Sequence, residues 1–287
     1  MLKNLRNLKS LCGRVKNMVL QDSLVSIVIP TYNRKNLFIR ALDSAVNQTY
    51  SNIEIIVVDD ASAEDLSSLL TQYGNIKFFR NEENRGPCFS RNRGLMEASG
   101  EYINFLDDDD VLFPTKIERQ LQCFEETNYN NLGMVTCNLI DERSGDAEIV
   151  FNRVQGNIYK ELLSSYCVSG TETMLFKTKV VKEVNGFDEN LDSSQEYDLL
   201  IRISQHYEVD YVNKVLTKKY RSFNQISQNF DKKISGAIYL YKKHNYRFKD
   251  EGWPFWLKMQ VKLKLLLFRF YMGKYFGEKV YKMLMIK

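Results

Sequence analysis

Four consecutive aspartates, Asp107, Asp108, Asp109 and Asp110, close the apolar run Tyr102-Ile103-Asn104-Phe105-Leu106. Like charges packed this tightly raise one another's cost of ionisation, so the cluster calls for a compensating positive charge. On an extended backbone Asp107 and Asp109 point the same way, and such a D-x-D pair offers two hard carboxylates to one divalent cation and its attached phosphates. The blander alternatives are a solvated acidic turn or a cap for the helix opening near Pro114. A second acidic pair, Asp59-Asp60, ends another apolar run, and Gln195-Glu196-Tyr197-Asp198 places two carboxylates where a helix begins. Histidine chemistry has little raw material, because His206 and His244 are the two histidines, and both read as surface or packing residues. The five cysteines, Cys12, Cys88, Cys123, Cys137 and Cys167, are odd in number, scattered, and contain no Cys-x-x-Cys pair. They argue against a disulfide framework or structural zinc site and for a reducing compartment.

The elements that must position these residues alternate. From Leu24 the chain reads as a β-branched apolar run closed by Pro30, the pattern of a strand buried on both faces. Residues 36–48 have helical spacing, residues 53–62 repeat the buried strand, residues 64–73 read as a helix and residues 76–79 as a short strand. A glycine-bearing loop at 84–100 leads into a third helix before the strand that ends in the aspartates. This order predicts an α/β fold, a mostly parallel sheet with crossover helices, whose ligands bind beyond the carboxyl ends of the strands. The chemistry is therefore expected at residues 30–34, 59–62 and 107–110. Downstream, the pattern predicts a helix from Pro114 to about Thr127, a strand at 134–139, an irregular loop or hairpin at 141–157, a strand at 173–176 and a helix from about Glu196.

SIVIPTYNR at 26–34, VVDDAS at 57–62, NRGPCFSRNRGLMEASGEYINFLDDDD at 84–110 and QEYDLLIR at 195–202 together resemble the family-2 glycosyltransferases. Those enzymes are inverting, depend on nucleotide sugars and have a GT-A fold. The resemblance spans about residues 24–220 and rests on four motifs in the family's order. It implies that the loop of Pro30, Thr31, Tyr32 and Asn33 wraps the base and ribose. Asp60 would accept a hydrogen bond from the uracil N–H, a donor that cytosine lacks. Arg91 would face the diphosphate. Asp107 would lie near the ribose, Asp108 would be the variable middle residue, and Asp109 would hold Mn²⁺ or Mg²⁺, with Asp107 as an additional ligand. The family's general base is usually an aspartate after Glu or Gln; here the matching pair is Gln195-Glu196, so Glu196 is the implied base, with Asp198 in reserve. Asp188 reads as structural, and Arg202 as an i, i+4 partner of Asp198.

The remaining chain divides by charge. Residues 1–20 hold five basic residues and no acids, residues 231–287 hold 14 basic against 4 acidic, and the stretch between is strongly acidic, inside a total of only +4. The expected organisation is a basic N-terminal segment (1–22), a catalytic domain (23–229) with a nucleotide-sugar half (23–112) and an acceptor half (113–229), and a basic aromatic helical tail (230–287). The N-terminus lacks an apolar signal core and no run reaches the length of a membrane span, so a cytoplasmic protein is expected. On a helix, Leu257, Val261, Leu265, Phe268 and Met272 form one stripe with lysines beside it. That pattern suits an anionic bilayer surface through residues 253–287, or packing against the catalytic domain. The acidic body argues against nucleic acid as a partner. The expected partners are a nucleotide-sugar donor, UDP-linked first with dTDP or GDP as alternatives, and a glycan or lipid-linked acceptor. The competing reading from another class is a nucleotide-sugar-binding protein in which Glu196 no longer supports transfer.

Overall fold

The computed structural model describes residues 23–143, 146–220 and 229–285. The basic segment 1–22 lies outside the described residues. The first half alternates β1 (Val25–Thr31), α1 (Lys35–Val46), β2 (Ile53–Asp59), α2 (Ser67–Leu70), β3 (Ile76–Arg80), α3 (Pro87–Glu97) and β4 (Tyr102–Phe105). All seven residues of β1 are buried, as its continuous apolar run requires. α1 packs Phe38, Ala41, Leu42 and Ala45 against one sheet face. α3 covers the other face, opening on Pro87. It approaches β1 so closely that a Cβ on Gly94 would stand 2.3 Å from Val28 Cγ1. The helix expected over 64–73 is shorter than its pattern suggests. Asp65 captures both the amide and the hydroxyl of Ser67, a local bonding pattern that competes with a helical start.

The second half contains β5 (Val111–Leu112), α4 (Lys116–Glu126), β6 (Leu132–Arg143), β7 (Asp146–Val150), α5 (Tyr159–Ser164), β8 (Leu175–Lys177), α6 (Thr178–Glu183), α7 (Gln195–Ser204) and β9 (Glu208–Tyr220). The sheet order is β3-β2-β1-β4-β8-β6-β9-β5, with β7 paired to β6. The first four strands are parallel. β8 runs antiparallel to both β4 and β6, so the sheet is mixed beyond its parallel first four strands. Within the stretch expected to be a loop or hairpin, residues 141–143 end β6 and 146–150 form β7, and the two strands pair antiparallel.

Three helices follow: α8 (Phe230–Asp250), α9 (Trp253–Phe276) and α10 (Glu278–Met285). Tyr241, Phe248 and Met259 join the core cluster that also contains Leu199 and Leu200 of α7, so the tail is packed onto the body. The predicted stripe is nevertheless outside: Leu257, Val261, Leu265 and Phe268 are all exposed, while Met259, Phe270 and Gly273 face inward. No helix of the described residues is long and apolar enough to cross a membrane.

Candidate functional site

The carboxyl ends of β1, β2 and β4 open into a pocket of about 970 Å³. Pro30, Thr31, Tyr32 and Arg34 come from the end of β1, Asp60 from β2, Arg91 from α3, and Asp107, Asp108 and Asp109 from the turn after β4. Ser194, Gln195, Glu196 and Tyr197 close it from the start of α7, and Lys219 from β9. Non-glycine residues held in left-handed backbone cluster in its loops: Asn33 (φ 53°), Ala61 (φ 64°) and Ser194 (φ 64°). Such backbone costs energy and persists where the surroundings over-determine it, as at binding sites.

The aspartates do not lie on an extended backbone. Asp110 N–H donates to Asp107 O at 3.1 Å, which curls the four residues into a turn. The strand alternation that paired Asp107 with Asp109 therefore fails. It is Asp108 and Asp109 that converge on one atom, Arg34 Nη1, each at 3.2 Å. Asp108 also accepts from Thr31 Oγ1 at 3.0 Å. Burial, opposed by Arg34 and reinforced by the charge of Asp109, pushes the Asp108 carboxyl up to about 6. Asp107 instead pairs with Arg91 Nη2 at 2.5 Å. Asp110 turns away, accepting from the Tyr220 amide at 3.1 Å, and its carboxyl is held well above the usual range by burial and then by Glu172.

Arg91 is buried, and its Nε and Nη1 find no hydrogen-bond partner among the described residues. Burial alone would lower its pKa, but the charges of Asp107 and Glu196 hold it raised. A permanently charged guanidinium lining the pocket is suited to a phosphate oxygen. Asp60 is already tethered: it accepts from Asn81 Nδ2 at 2.7 Å and from the amides of Arg85 (3.0 Å) and Gly86 (2.7 Å). Asn33 stands behind the wall, its amide donating to Ser62 Oγ at 2.9 Å and its Oδ1 accepting from the Ala63 amide at 2.7 Å. It ties the loops after β1 and β2 together and is absent from the pocket lining.

Glu196 faces the pocket and accepts from Thr171 Oγ1 at 2.8 Å. Asp198 does not reach it. Its carboxylate is fully buried between Arg202 Nη2 (2.7 Å), Lys243 Nζ (2.8 Å) and His244 Nε2 (2.9 Å), the last two from α8. Both families of contact hold α7 against the tail, and Lys243 also grips Asp188 at 2.6 Å. The i, i+4 pairing of Arg202 with Asp198 is found as the spacing predicts.

The acidic turn supplies hard oxygens, and Mg²⁺ or Mn²⁺ at nucleotide sites is held by one or two carboxylates plus substrate phosphates. No group of three or more His, Cys, Asp or Glu among the described residues forms a ready-made cage. The donor set therefore fits a cation that arrives with a diphosphate. Arg34, Lys219 and Tyr166, which the sequence reading did not assign, also line the pocket. Arg34 directly follows the predicted loop, whereas Lys219 and Tyr166 carry no local motif.

The site is an α/β pocket in which parallel strands end in carboxylates, with a buried arginine beside them and Glu196 also in the lining. Residues 26–168 match the glycosyl transferase family 2 description. An uncharacterized glycosyltransferase of Rickettsia bellii is 33% identical over 234 residues, covering 80% of this chain and 33% of that one. The chain thus spans about a third of that relative's length. A protein of Escherichia coli K12 provisionally described as a colanic acid biosynthesis glycosyl transferase, WcaA, is 32% identical over 251 residues, covering 79% and 83% of the two chains. Staphylococcus aureus TarS 1–349 in complex with UDP-GlcNAc superposes with a TM-score of 0.66 at 16% identity, covering 92% of this chain and 76% of that one. The mannosyltransferase PcManGT from Pyrobaculum calidifontis, in complex with GDP-Man and Mn²⁺, gives 0.59 at 19% identity, covering 91% and 78%. The fold is GT-A, and the chain belongs to glycosyl transferase family 2.

Proposed function

We propose that this chain is a metal-dependent inverting glycosyltransferase that moves a sugar from a nucleotide-sugar donor, UDP-linked first, to a hydroxyl of a glycan or lipid-linked acceptor. The observation that carries the reading is one pocket shared by the acidic turn, the guanidinium of Arg91, and Glu196. Tyr32 is 42% exposed at the rim and offers its ring to the base. Asp60 Oδ2 accepts only the Gly86 amide among the described contacts, leaving a lone pair for an imide N–H, which uracil and thymine both carry. Arg91 binds the diphosphate. When bound, a divalent cation at the acidic turn would neutralise charge gathering on the departing nucleoside diphosphate. Glu196, oriented by the Thr171 hydroxyl, takes the proton from the acceptor hydroxyl as it attacks the anomeric carbon. The exposed stripe of α9 supports a peripheral association with an anionic membrane, in keeping with a role in cell-surface polysaccharide or glycolipid assembly.

The test is a panel of UDP-, dTDP- and GDP-sugars assayed for Mn²⁺-dependent donor hydrolysis and transfer. Asp109→Ala should abolish the Mn²⁺ dependence. Glu196→Gln should bind UDP normally and lose transfer by about 10²–10⁴-fold, the usual worth of one positioned base. Full transfer by Glu196→Gln would remove Glu196 from its role, and a panel without turnover but with tight UDP binding would favour a binding protein.

A further inference from the structure

The four aspartates after β4 are each engaged, but by groups that differ in how firmly they are held. Asp107 pairs with Arg91 Nη2 at 2.5 Å, and Arg91 is buried in α3. Asp110 accepts the amide of Tyr220, a main-chain group of β9. Asp108 and Asp109 share Arg34, whose Nη1 donates to Asp108 Oδ1 and to Asp109 Oδ2, each at 3.2 Å. The Arg34 main chain is fixed where α1 opens, its carbonyl accepting the Phe38 amide at 2.9 Å. Its side chain, by contrast, is 30% exposed and lines the pocket. Arg40 Nη2 donates to the Asp109 carbonyl at 2.7 Å, so the main chain of the turn has an anchor that does not depend on its side chains. One donor atom thus bridges two carboxylates from a side chain with solvent beside it.

We propose that Arg34 is a resident counter-charge for Asp108 and Asp109 that gives way to a divalent cation and passes to the donor's diphosphate, so that metal and donor bind as a coupled pair. The inference rests on the metal-dependent reading of the acidic turn. A guanidinium and a divalent cation cannot both sit between the same two carboxylates, because like charges at contact distance repel. A metal ion binding by itself would therefore take Arg34's two acceptors and offer nothing in return, and a cation drawn off its partners on a pocket wall is costly. A diphosphate removes that cost. Its oxygens accept the planar fork of N–H groups that the carboxylates release, and phosphate suits this geometry as well as carboxylate does. Arg34 already lies in the lining that holds Arg91 and the aspartates, so the exchange needs a side-chain rotation and no movement of α1. Arg91 stays on Asp107 while Arg34 changes partners, which gives the two arginines of the site distinct roles.

The experiment measures Mn²⁺ uptake by the full chain from the electron paramagnetic resonance signal of free Mn²⁺, with and without UDP, after subtracting the Mn²⁺ that UDP takes up in buffer. Arg34 competes with the metal only while UDP is absent. Arg34→Gln should therefore tighten Mn²⁺ without UDP by about threefold or more and not tighten it with UDP, so that the coupling between the two ligands falls by about tenfold. Linkage is reciprocal, so a calorimetric titration should show UDP losing the same factor of assistance from Mn²⁺. A folding defect would weaken both ligands together, whereas the expected result tightens one and loosens the other. An Mn²⁺ affinity without UDP that Arg34→Gln leaves unchanged overturns the proposal. Equal tightening with and without UDP overturns it too, because that is the field of a charge that stays in place. Should Arg34→Gln fail to fold, Arg34→Met makes the same comparison. A parent chain that binds UDP but takes up no Mn²⁺ in either condition is a different result, which refutes the metal reading of the acidic turn and the exchange with it.

Discussion

Asp198→Asn tests whether the tail is structurally part of the catalytic unit. The Asp198 side chain is fully buried, and its two oxygens hold Arg202 at 2.7 Å, Lys243 at 2.8 Å and His244 at 2.9 Å. Its carboxyl is held far below the usual range: burial alone would raise it, and the His244 hydrogen bond and then the Arg202 charge more than reverse that. An amide keeps the shape and one acceptor but strands two cations. Removing one partner of a buried pair costs about 3–5 kcal/mol. Lys243 retains Asp188 at 2.6 Å, which favours the lower end, about 3 kcal/mol. For a chain of this size each kcal/mol moves the melting temperature by roughly 2–4 °C, so a fall of about 6–12 °C is expected in a circular-dichroism melt at pH 7.5. A depressed carboxyl pKa contributes stability at pH values above its unfolded value of about 3.9 and loses it as pH falls through the folded value, so the deficit should stay constant between pH 8 and 5. Combining Asp198→Asn with Lys243→Met should cost less than the sum of the two single changes, because they break one network. A fall of less than 2 °C, or strict additivity, would refute the idea that this carboxylate clamps α7 to α8.

Two further outcomes follow from close packing and from burial of a titratable ring. Gly94→Ala places a methyl 2.3 Å from Val28 Cγ1 in the fully buried β1, and overpacking of this kind costs about 1–3 kcal/mol; an unchanged urea midpoint would show slack between α3 and β1. Burial holds the His244 imidazole below its ordinary pKa against the pull of Asp198, with Arg247 and Lys243 adding to the depression. Its Nε2 meets Asp198 and its Nδ1 meets no acceptor among the described residues, so the folded ring takes up a proton less readily than the unfolded chain does. Stability should therefore decline as pH drops below about 6.5 and level off below the folded pKa, a trend that His244→Asn flattens in urea titrations at pH 7.5 and 5.5.

The first half of the chain was legible because β1 and most of β2 are buried on both faces, which demands continuous apolar runs, and because their ends collect the polar residues. The conformation of the aspartate turn was not legible. It is fixed by Asp110 accepting from Tyr220, a partner 110 positions away, and no local spacing reports that contact. Lys219 was invisible for the same reason, since it enters the pocket from the far end of the sheet. The second half was less legible because β8 has only three residues, held antiparallel between β4 and β6, and a run that short carries no period.

The tail shows why periodicity alone could not choose a face. α9 is apolar around most of its circumference with lysines interspersed, so the stripe from Leu257 to Phe268 suited either a bilayer surface or packing on the body; the structure exposes it and buries Met259, Phe270 and Gly273 instead. What decides the orientation is charge. The acidic body needs cations: α8 sends Lys243 to Asp188 and Asp198 and His244 to Asp198, and those contacts fix α8 over α7. α9 then packs back on α8 through Ile234, Ala237 and Phe270, which turns Lys262 and Arg269 toward the pocket and the apolar stripe outward. The opposition between a basic tail and an acidic body is thus partly consumed inside the molecule, where Lys243 and His244 of α8 meet Asp188 and Asp198.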